Sequence, residues 1–419
     1  MSEFEYILAT DFDRAWLNFE LDLPLKPGKN GEPNPFYINR PGNPIAELED
    51  ALLAPFYRPP KFFFSGHRGC GKSTELLHLM SNADIQKKYW PIHFSIREEA
   101  DIIDLDFRDV LLAVGGRMFR EYRKSGGQLP EQLLKELNSW RGKVEEEVRT
   151  ISGRPLEFEF GAAIDAFFVN AGMKMKLEPK TRAELRQVFE RDITGLIAVI
   201  NNIATAIYSR EKRIPLILID DLDKPNLEEA RAIFHDRREI MMQPNCAIVY
   251  TVSSALFYSK DFDAIRGQAH FLPNIMLHPP QAPDVRDQAG YDTLRRFVQV
   301  RMNANLIDGL ALEEAITYSG GVFREMARIM RTAIGRARRR KAGRVESSDV
   351  EAATTEIRNE YRRILDKDDI QLLKTVNENN RLEYNDRLRP LLQLLALLEY
   401  RNGENWCDVH PVLRKILNE

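Results

Sequence analysis

The stretch Phe62–Thr74, FFFSGHRGCGKST, decides how the chain is read. Three phenylalanines form an apolar run, and Gly66, Gly69 and Gly71 then punctuate a loop that ends in Lys72-Ser73-Thr74 and an apolar helical pattern. This is G-x-x-x-x-G-K-[ST] with a strand signal before it and a helix signal after it, the context in which the motif has a physical meaning. The glycines let the main chain curl so that successive N–H groups converge on a concavity sized for phosphates. A helix starting near Lys72 adds its unpaired N-terminal donors and the positive end of its dipole. Lys72 places a point charge for the β- and γ-phosphates, and the Ser73 hydroxyl enters a Mg²⁺ shell. Gly66, His67, Arg68, Gly69, Cys70, Gly71 and Thr74 complete the predicted cradle for a nucleoside triphosphate.

The rest of the composition fits a globular protein of more than one domain. The chain has 419 residues, 43% apolar and 29% charged, and exceeds what one core usually covers. Its 60 basic and 63 acidic side chains leave a formal charge of −3, which argues against a protein coated with nucleic acid. Three scattered cysteines, Cys70, Cys246 and Cys407, suggest neither a disulfide framework nor a zinc site. The N-terminus lacks the basic and apolar regions of a signal peptide, and no apolar run approaches the ~20 residues of a membrane span. A cytoplasmic protein without membrane contact is expected.

Working outward from the loop, residues 1–45 carry a Pro/Gly-rich run, LPLKPGKNGEPNPFYINRPGNP, and are expected to form an extended arm over the next domain. A nucleotide core spans 46–285. Pro44–Leu53 has helical spacing, Trp90–Ile96 reads as a strand, and Phe107–Tyr122 reads as an amphipathic helix. An insertion over 126–180 combines a helix at Leu133–Val148 with strand-like alternation at Pro155–Phe160 and Phe167–Leu177. Arg182–Ala206 reads as one long helix, followed by the buried strand Ile214–Ile219, a helix from Leu227 to Ile240, the strand Cys246–Val252 and a last strand at Phe271–Leu277. Strands alternating with helices predict an α/β fold with a parallel sheet. From 286 to 365 only helical periodicity remains. Residues 366–419 combine helical patterns with an Asn402-Gly403 hairpin signal, which predicts a winged helix.

Asp220-Asp221 closes the apolar run IPLILI. Ionised carboxylates at the end of a buried strand are costly unless a cation or hydrogen bonds compensate. Beside a phosphate loop, Asp220 would hold Mg²⁺ together with Ser73, and Asp221 would orient or deprotonate the attacking water.

GHRGCGKST, IDDLD, a strand ending at Thr251–Ser254 and a helical lid resemble the AAA+ superfamily, in particular its origin-recognition/STAND clade and the related KAP-like bacterial ATPases. The resemblance extends over residues 40–415. It implies a P-loop NTPase sheet core followed by a helical lid and a C-terminal winged helix, with ATP and Mg²⁺ as ligands. Ser319-Gly320-Gly321-Val322-Phe323-Arg324 is similar to the sensor 2 region, which makes Arg324 a ligand of the γ-phosphate. Val345–Val350 resembles the start of the last lid helix. Ser253 or Thr251 would serve as sensor 1. Arg266 would act as an arginine finger, with Arg237 and Arg238 as alternatives and an ordinary salt bridge as the competing role for each. Asp221 stands where many AAA+ members have Glu, which implies slow hydrolysis.

Two functions follow from this reading. The first is an ATP-hydrolysing molecular switch that self-associates as a homo-oligomer and acts on a separate effector or partner protein, with bacterial anti-phage defence as the setting suggested by family analogy. The second is a DNA-binding ATPase of the initiator or loader type, using the winged helix and the basic stretch Arg336–Arg344. The acidic surroundings of Arg387, Arg389 and Arg401 weigh against DNA.

Overall fold

The computed structural model describes residues 4–28, 32–153, 164–280, 282–379 and 387–418. They form two compact units. One comprises Leu48–Ser65 and Asn82–His270, and the other Met1–Glu47, Gly66–Ser81 and Phe271–Glu419.

The first unit is organised by a sheet. Its strands are β1 (Lys61–Gly66), β2 (Tyr89–Ser95), β3 (Ile214–Asp220), β4 (Ala247–Thr251) and β5 (Ala269–Leu272), in the order β2-β3-β4-β1-β5. The pairs β2–β3, β3–β4 and β1–β4 are parallel, with Ser95 opposite Asp220, Ile219 opposite Tyr250 and Phe64 opposite Thr251. Their carboxyl ends therefore emerge at one edge. Burial on both faces explains the near-continuous apolar runs: Leu216, Ile217, Leu218 and Ile219 have no exposed surface. The expected α/β class with a parallel sheet, followed by helical residues, is what the chain adopts.

Helix Phe107–Lys124 lies against the sheet face, started by a capping box between Asp106 and Asp109. Helices Ile164–Leu177 and Pro179–Arg191 pack on it and on each other, and Glu131–Ser152 packs on both of them. The Phe168 ring lies 5.3 Å from Phe119, and Trp140 meets Phe167 edge-on at 5.4 Å. The strand expected at Phe167–Leu177 is thus a helix. Alternation in MKMKL covers only five residues, whereas Phe167, Phe168, Ala171 and Met175 fall on one helical face and are buried, leaving Met173 and Leu177 exposed. The strand expected at Pro155–Phe160 lies outside the described residues. The long helix expected over Arg182–Ala206 is two, divided at Asp192, whose carboxylate accepts from Gly195 N and caps Ile193–Glu211. The helix expected from Leu227 to Ile240 is interrupted by a π-helical turn at Ala232–Asp236. The last strand of the sheet stops at Leu272, before Pro273, which carries no N–H for a ladder.

In the second unit the helices Gln288–Gln299, Gly309–Tyr318, Phe323–Arg339 and Ser347–Ile364 follow the expected periodicity. The arm is not purely extended. Asp11 caps a helix, Phe12–Asn18, that packs against Phe323–Arg339, and Ala9 pairs with Met302. At the C-terminus, β6 (Leu397–Asn402) and β7 (Glu404–Val409) form the antiparallel hairpin signalled by Asn402-Gly403. Leu398, Tyr400 and Trp406 close it over Val322 and Leu395.

Candidate nucleotide site

In the second unit, the phosphate loop Gly66–Thr74 enters helix Lys72–Leu79, whose N-cap is Gly71. Gly69 and Gly71 have φ of +82° and +108°, a conformation that side chains rarely adopt, and a Cβ on Gly69 would run into the Cβ of Arg324. Lys72 is buried, and its ammonium donates to the carbonyls of Gly66 at 2.8 Å and His67 at 3.1 Å. Ser73 is exposed at the helix start, where its hydroxyl can reach a cation. Arg68 is exposed, Thr74 half-buried, and the Cys70 thiol buried.

Three elements of the same unit hold this loop. Arg324, the second residue of helix Phe323–Arg339, donates its main-chain N–H to Gly69 O at 3.2 Å, while its guanidinium donates to Asp22 Oδ1 at 2.9 Å. Arg40, from the arm, donates to Cys70 O at 3.0 Å and to Pro273 O. His67 is fully buried. Its Nε2 accepts the N–H of Glu399 at 2.9 Å, so Nδ1 carries the proton and donates to Leu392 O at 3.2 Å. Burial, reinforced by the nearby Lys72 charge, pushes the His67 pKa down to about 4, and the ring is neutral at pH 7. Tyr37 stacks on His78 at 4.1 Å and donates to Glu75 at 3.2 Å, so its ring packs on the loop helix.

The acids belong to the first unit. Asp220, 7% exposed at the end of β3, accepts from the N–H of Asp221 at 2.8 Å, with His93 Nε2 3.8 Å away. Asp221 has φ of +64°, a left-handed conformation that Asp tolerates better than most residues. Ser95 Oγ donates to Asp221 Oδ2 at 2.6 Å, and Arg97 and Lys224 lie 3.8 Å from its other oxygen. Thr251 Oγ1 donates to Ile219 O and accepts from Leu222 N, both at 3.0 Å, which ties β4 to the turn carrying the acids. Ser253, nearly buried, caps the short helix Ser254–Phe257 through Ala255 N. The fold thus gathers Asp220, Asp221, Thr251 and Ser253 at the carboxyl edge of the sheet.

The arginine-finger candidates differ in their surroundings. Arg237 pairs with Glu190 at 3.2 Å and lies over Phe107, and Arg238 donates to Gln268 at 3.0 Å. Arg266 is 72% exposed and pairs with the equally open Asp263, at 3.3 Å.

Hydroxyl and carboxylate oxygens suit Mg²⁺, which binds through one or two carboxylates plus substrate phosphates and water. Among the described residues no cluster of three or more His, Cys, Asp or Glu could by itself hold a metal. Sequence reasoning missed Ser95 and Arg40. Only the register placing Ser95 beside Asp220 exposes the first, and the second sits in a Pro-rich run without periodicity.

No family model matches the chain, and no curated protein matches it. Among solved structures it is similar to Cdc6p of Pyrobaculum aerophilum, with 10% identity, 96% of each chain covered and a TM-score of 0.43. A Walker-type ATPase of Pyrococcus abyssi shares 14% identity over 92% of this chain and 100% of that one, with a TM-score of 0.40. RuvB of Thermotoga maritima shares 14% identity over 90% and 95%, with a TM-score of 0.35. The fold and the loop define an α/β protein of the P-loop class. Among the described residues no helix is long and apolar enough to cross a membrane.

Proposed function

We propose that the protein is a Mg²⁺-dependent ATPase of AAA+ type that works as a switch. The observation that carries this reading is the hydrogen bond from Arg324 N–H to Gly69 O, which seats the start of helix Phe323–Arg339 on the phosphate loop. A loop that must rearrange around phosphates then acts directly on the helical segment behind it. The loop N–H groups and the Lys72 ammonium, once off the Gly66 and His67 carbonyls, bind the triphosphate. Ser73 and Asp220 hold Mg²⁺, which neutralises charge developing on the phosphates. Asp221 positions or deprotonates water, Ser253 contributes a hydroxyl, and Arg324 meets the terminal phosphate. Ligands of open α/β sheets bind outside the carboxyl ends of the strands, where the acids lie.

The switch acts through self-association, with Arg266 as the arginine that completes a neighbouring copy's site, and through a separate partner protein. A nucleic-acid reading has less support. Arg336, Arg338, Arg340 and Arg344 are paired with Glu356, Asp13, Asp349 and Asp308. Arg387 and Arg401 are likewise paired, with Asp368 and Glu47.

The test is phosphate release from ATP by purified protein, set beside Lys72→Ala and Asp221→Asn. Turnover lost in both variants, with nucleotide binding lost only in the first, is the expected result. Equal release by all three proteins would sink the enzymatic reading.

A further inference from the structure

The arm and helix Phe323–Arg339 are joined by a ladder of charge. Arg324, Arg331 and Arg338 recur every seven residues and so share one helix face. Their partners run in the opposite direction along the arm: Asp22 at 2.9 Å, Glu20, and Asp13 at 2.7 Å. Trp16 lies against the middle rung, with the Arg331 guanidinium 3.6 Å from its ring centroid. The Asn18 side chain donates to Arg301 O at 2.7 Å and Ala9 N to the same carbonyl at 3.1 Å. These contacts fix the arm without the first rung. Asp22 is therefore presented to Arg324 by a strap anchored elsewhere.

The first rung differs from the others in what its arginine touches. The Arg324 main chain is hydrogen-bonded to the phosphate loop, and its Cβ fills the space that Gly69 leaves open. Its guanidinium nevertheless faces a carboxylate that is 80% exposed. Such a pair contributes about 0–1 kcal/mol. A phosphate held in a site that excludes water is the stronger partner for a guanidinium.

We infer that Asp22 is a specificity-determining residue: its carboxylate competes with the terminal phosphate of a nucleoside triphosphate for Arg324. This rests on the reading above in which Arg324 meets that phosphate. A diphosphate does not reach the guanidinium and leaves the rung closed. Asp22 thus weakens triphosphate binding selectively and sets the ratio of ATP to ADP affinity. The triphosphate opens the rung, freeing the arm around Asp22 while Glu20 and Asp13 keep the rest in place.

The experiment measures Kd for ADP and for a non-hydrolysable β,γ-imido triphosphate, with Mg²⁺, in the full chain. The proteins are wild type, Asp22→Asn, Arg324→Gln, the double variant, and Asp13→Asn as a control at the far end of the ladder. Both aspartates are about 80% exposed, so folding is not at stake. Asp22→Asn should tighten triphosphate binding about three- to fivefold, the range of an exposed pair. ADP binding should stay unchanged, Asp13→Asn should have no effect on either nucleotide, and Asp22→Asn should do nothing in the Arg324→Gln background. An equal change for both nucleotides, a gain that persists without Arg324, or no change at all while Arg324→Gln weakens the triphosphate would overturn the role of Asp22 and leave the Arg324 reading standing. If Arg324→Gln leaves the triphosphate-to-ADP ratio unaltered, the Arg324 reading itself falls, and the role of Asp22 with it.

Discussion

Glu399 donates its main-chain N–H to Nε2 of His67 at 2.9 Å, so a side chain of the phosphate loop ends in the C-terminal hairpin. The other ring nitrogen donates to Leu392 O, and the two partners bracket the turn at Leu395, whose φ is +63°. Removing the ring in His67→Ala would leave a buried N–H and a buried carbonyl without their partner. Each such group costs about 1–3 kcal/mol. A loss of about 2–6 kcal/mol is expected, together with faster hydrogen exchange at the Glu399 amide. An unchanged melting temperature with unchanged exchange would show that the hairpin does not depend on the loop.

The same burial makes stability depend on pH. The His67 pKa falls to about 4, and burial together with the Arg328 charge lowers His410 to about 3, both from an ordinary value of 6.5. The unfolded chain therefore binds protons that the native state refuses. The contribution of these rings is complete above pH 6.5 and is lost as pH falls towards 4 for His67 and towards 3 for His410, with each ring adding up to about 1.4 kcal/mol per pH unit. His67→Gln should flatten the acid side of the stability curve between pH 6.5 and 4. A curve as steep as wild type would place the dependence elsewhere.

The loop and the acids were legible because their chemistry is local in sequence. Glycine spacing, Lys72 and the apolar strand before them sit within thirteen residues, and Asp220-Asp221 ends a run whose burial is visible as unbroken aliphatic sequence. What holds them was not legible. Ser95 reaches Asp221 through strand register, and His67 reaches Glu399 across 332 positions of chain. Helix Ile164–Leu177 was misread because five alternating residues mimic a strand until the phenylalanines before them are given a packing partner. Asp192 and the π-helical turn at Ala232–Asp236 divide helices whose apolar periodicity runs straight through them.

Ser95 holds Asp221 in its left-handed conformation by a 2.6 Å hydrogen bond. Ser95→Ala would free Oδ2 and leave the carboxylate with Arg97 and Lys224, each 3.8 Å from its other oxygen. If Asp221 aligns water, turnover should change at least about tenfold, with the Kd for ATP shifting less than about twofold; effects on general base positioning fall in this range. A proportional change in both would mean that Ser95 supports the site as a whole.

Arg40 is 8% exposed and donates to two main-chain oxygens, of Cys70 and Pro273, with the Glu75 carboxylate acting on its charge through space. Burial lowers its pKa, and a buried guanidinium bonded only to carbonyls is an expensive way to brace a loop. Arg40→Gln keeps two donors at most and should weaken triphosphate binding about tenfold or more, a loss of about 1.4 kcal/mol. Measured by titration at two ionic strengths, the loss should be larger at low salt. An affinity within twofold of wild type at both would reduce Arg40 to a packing residue.

Arg266 offers the sharpest separation of folding from function. Its pair with Asp263 links two side chains exposed by more than 70%, so Arg266→Ala should shift stability by no more than about 0.5 kcal/mol. Nothing in its own surroundings therefore explains a loss of activity. If Arg266 completes the site of a neighbouring copy, the variant should bind ATP as wild type does and hydrolyse it at least about a hundredfold more slowly, because an arginine supplied in trans stabilises charge in the transition state. Mixing Arg266→Ala with Asp221→Asn should then recover part of the turnover, since Asp221→Asn copies can lend their arginine to Arg266→Ala copies with intact acids. Recovery that rises with total protein concentration would place Arg266 at a contact between copies. Slow turnover that mixing never restores would confine its effect to its own chain.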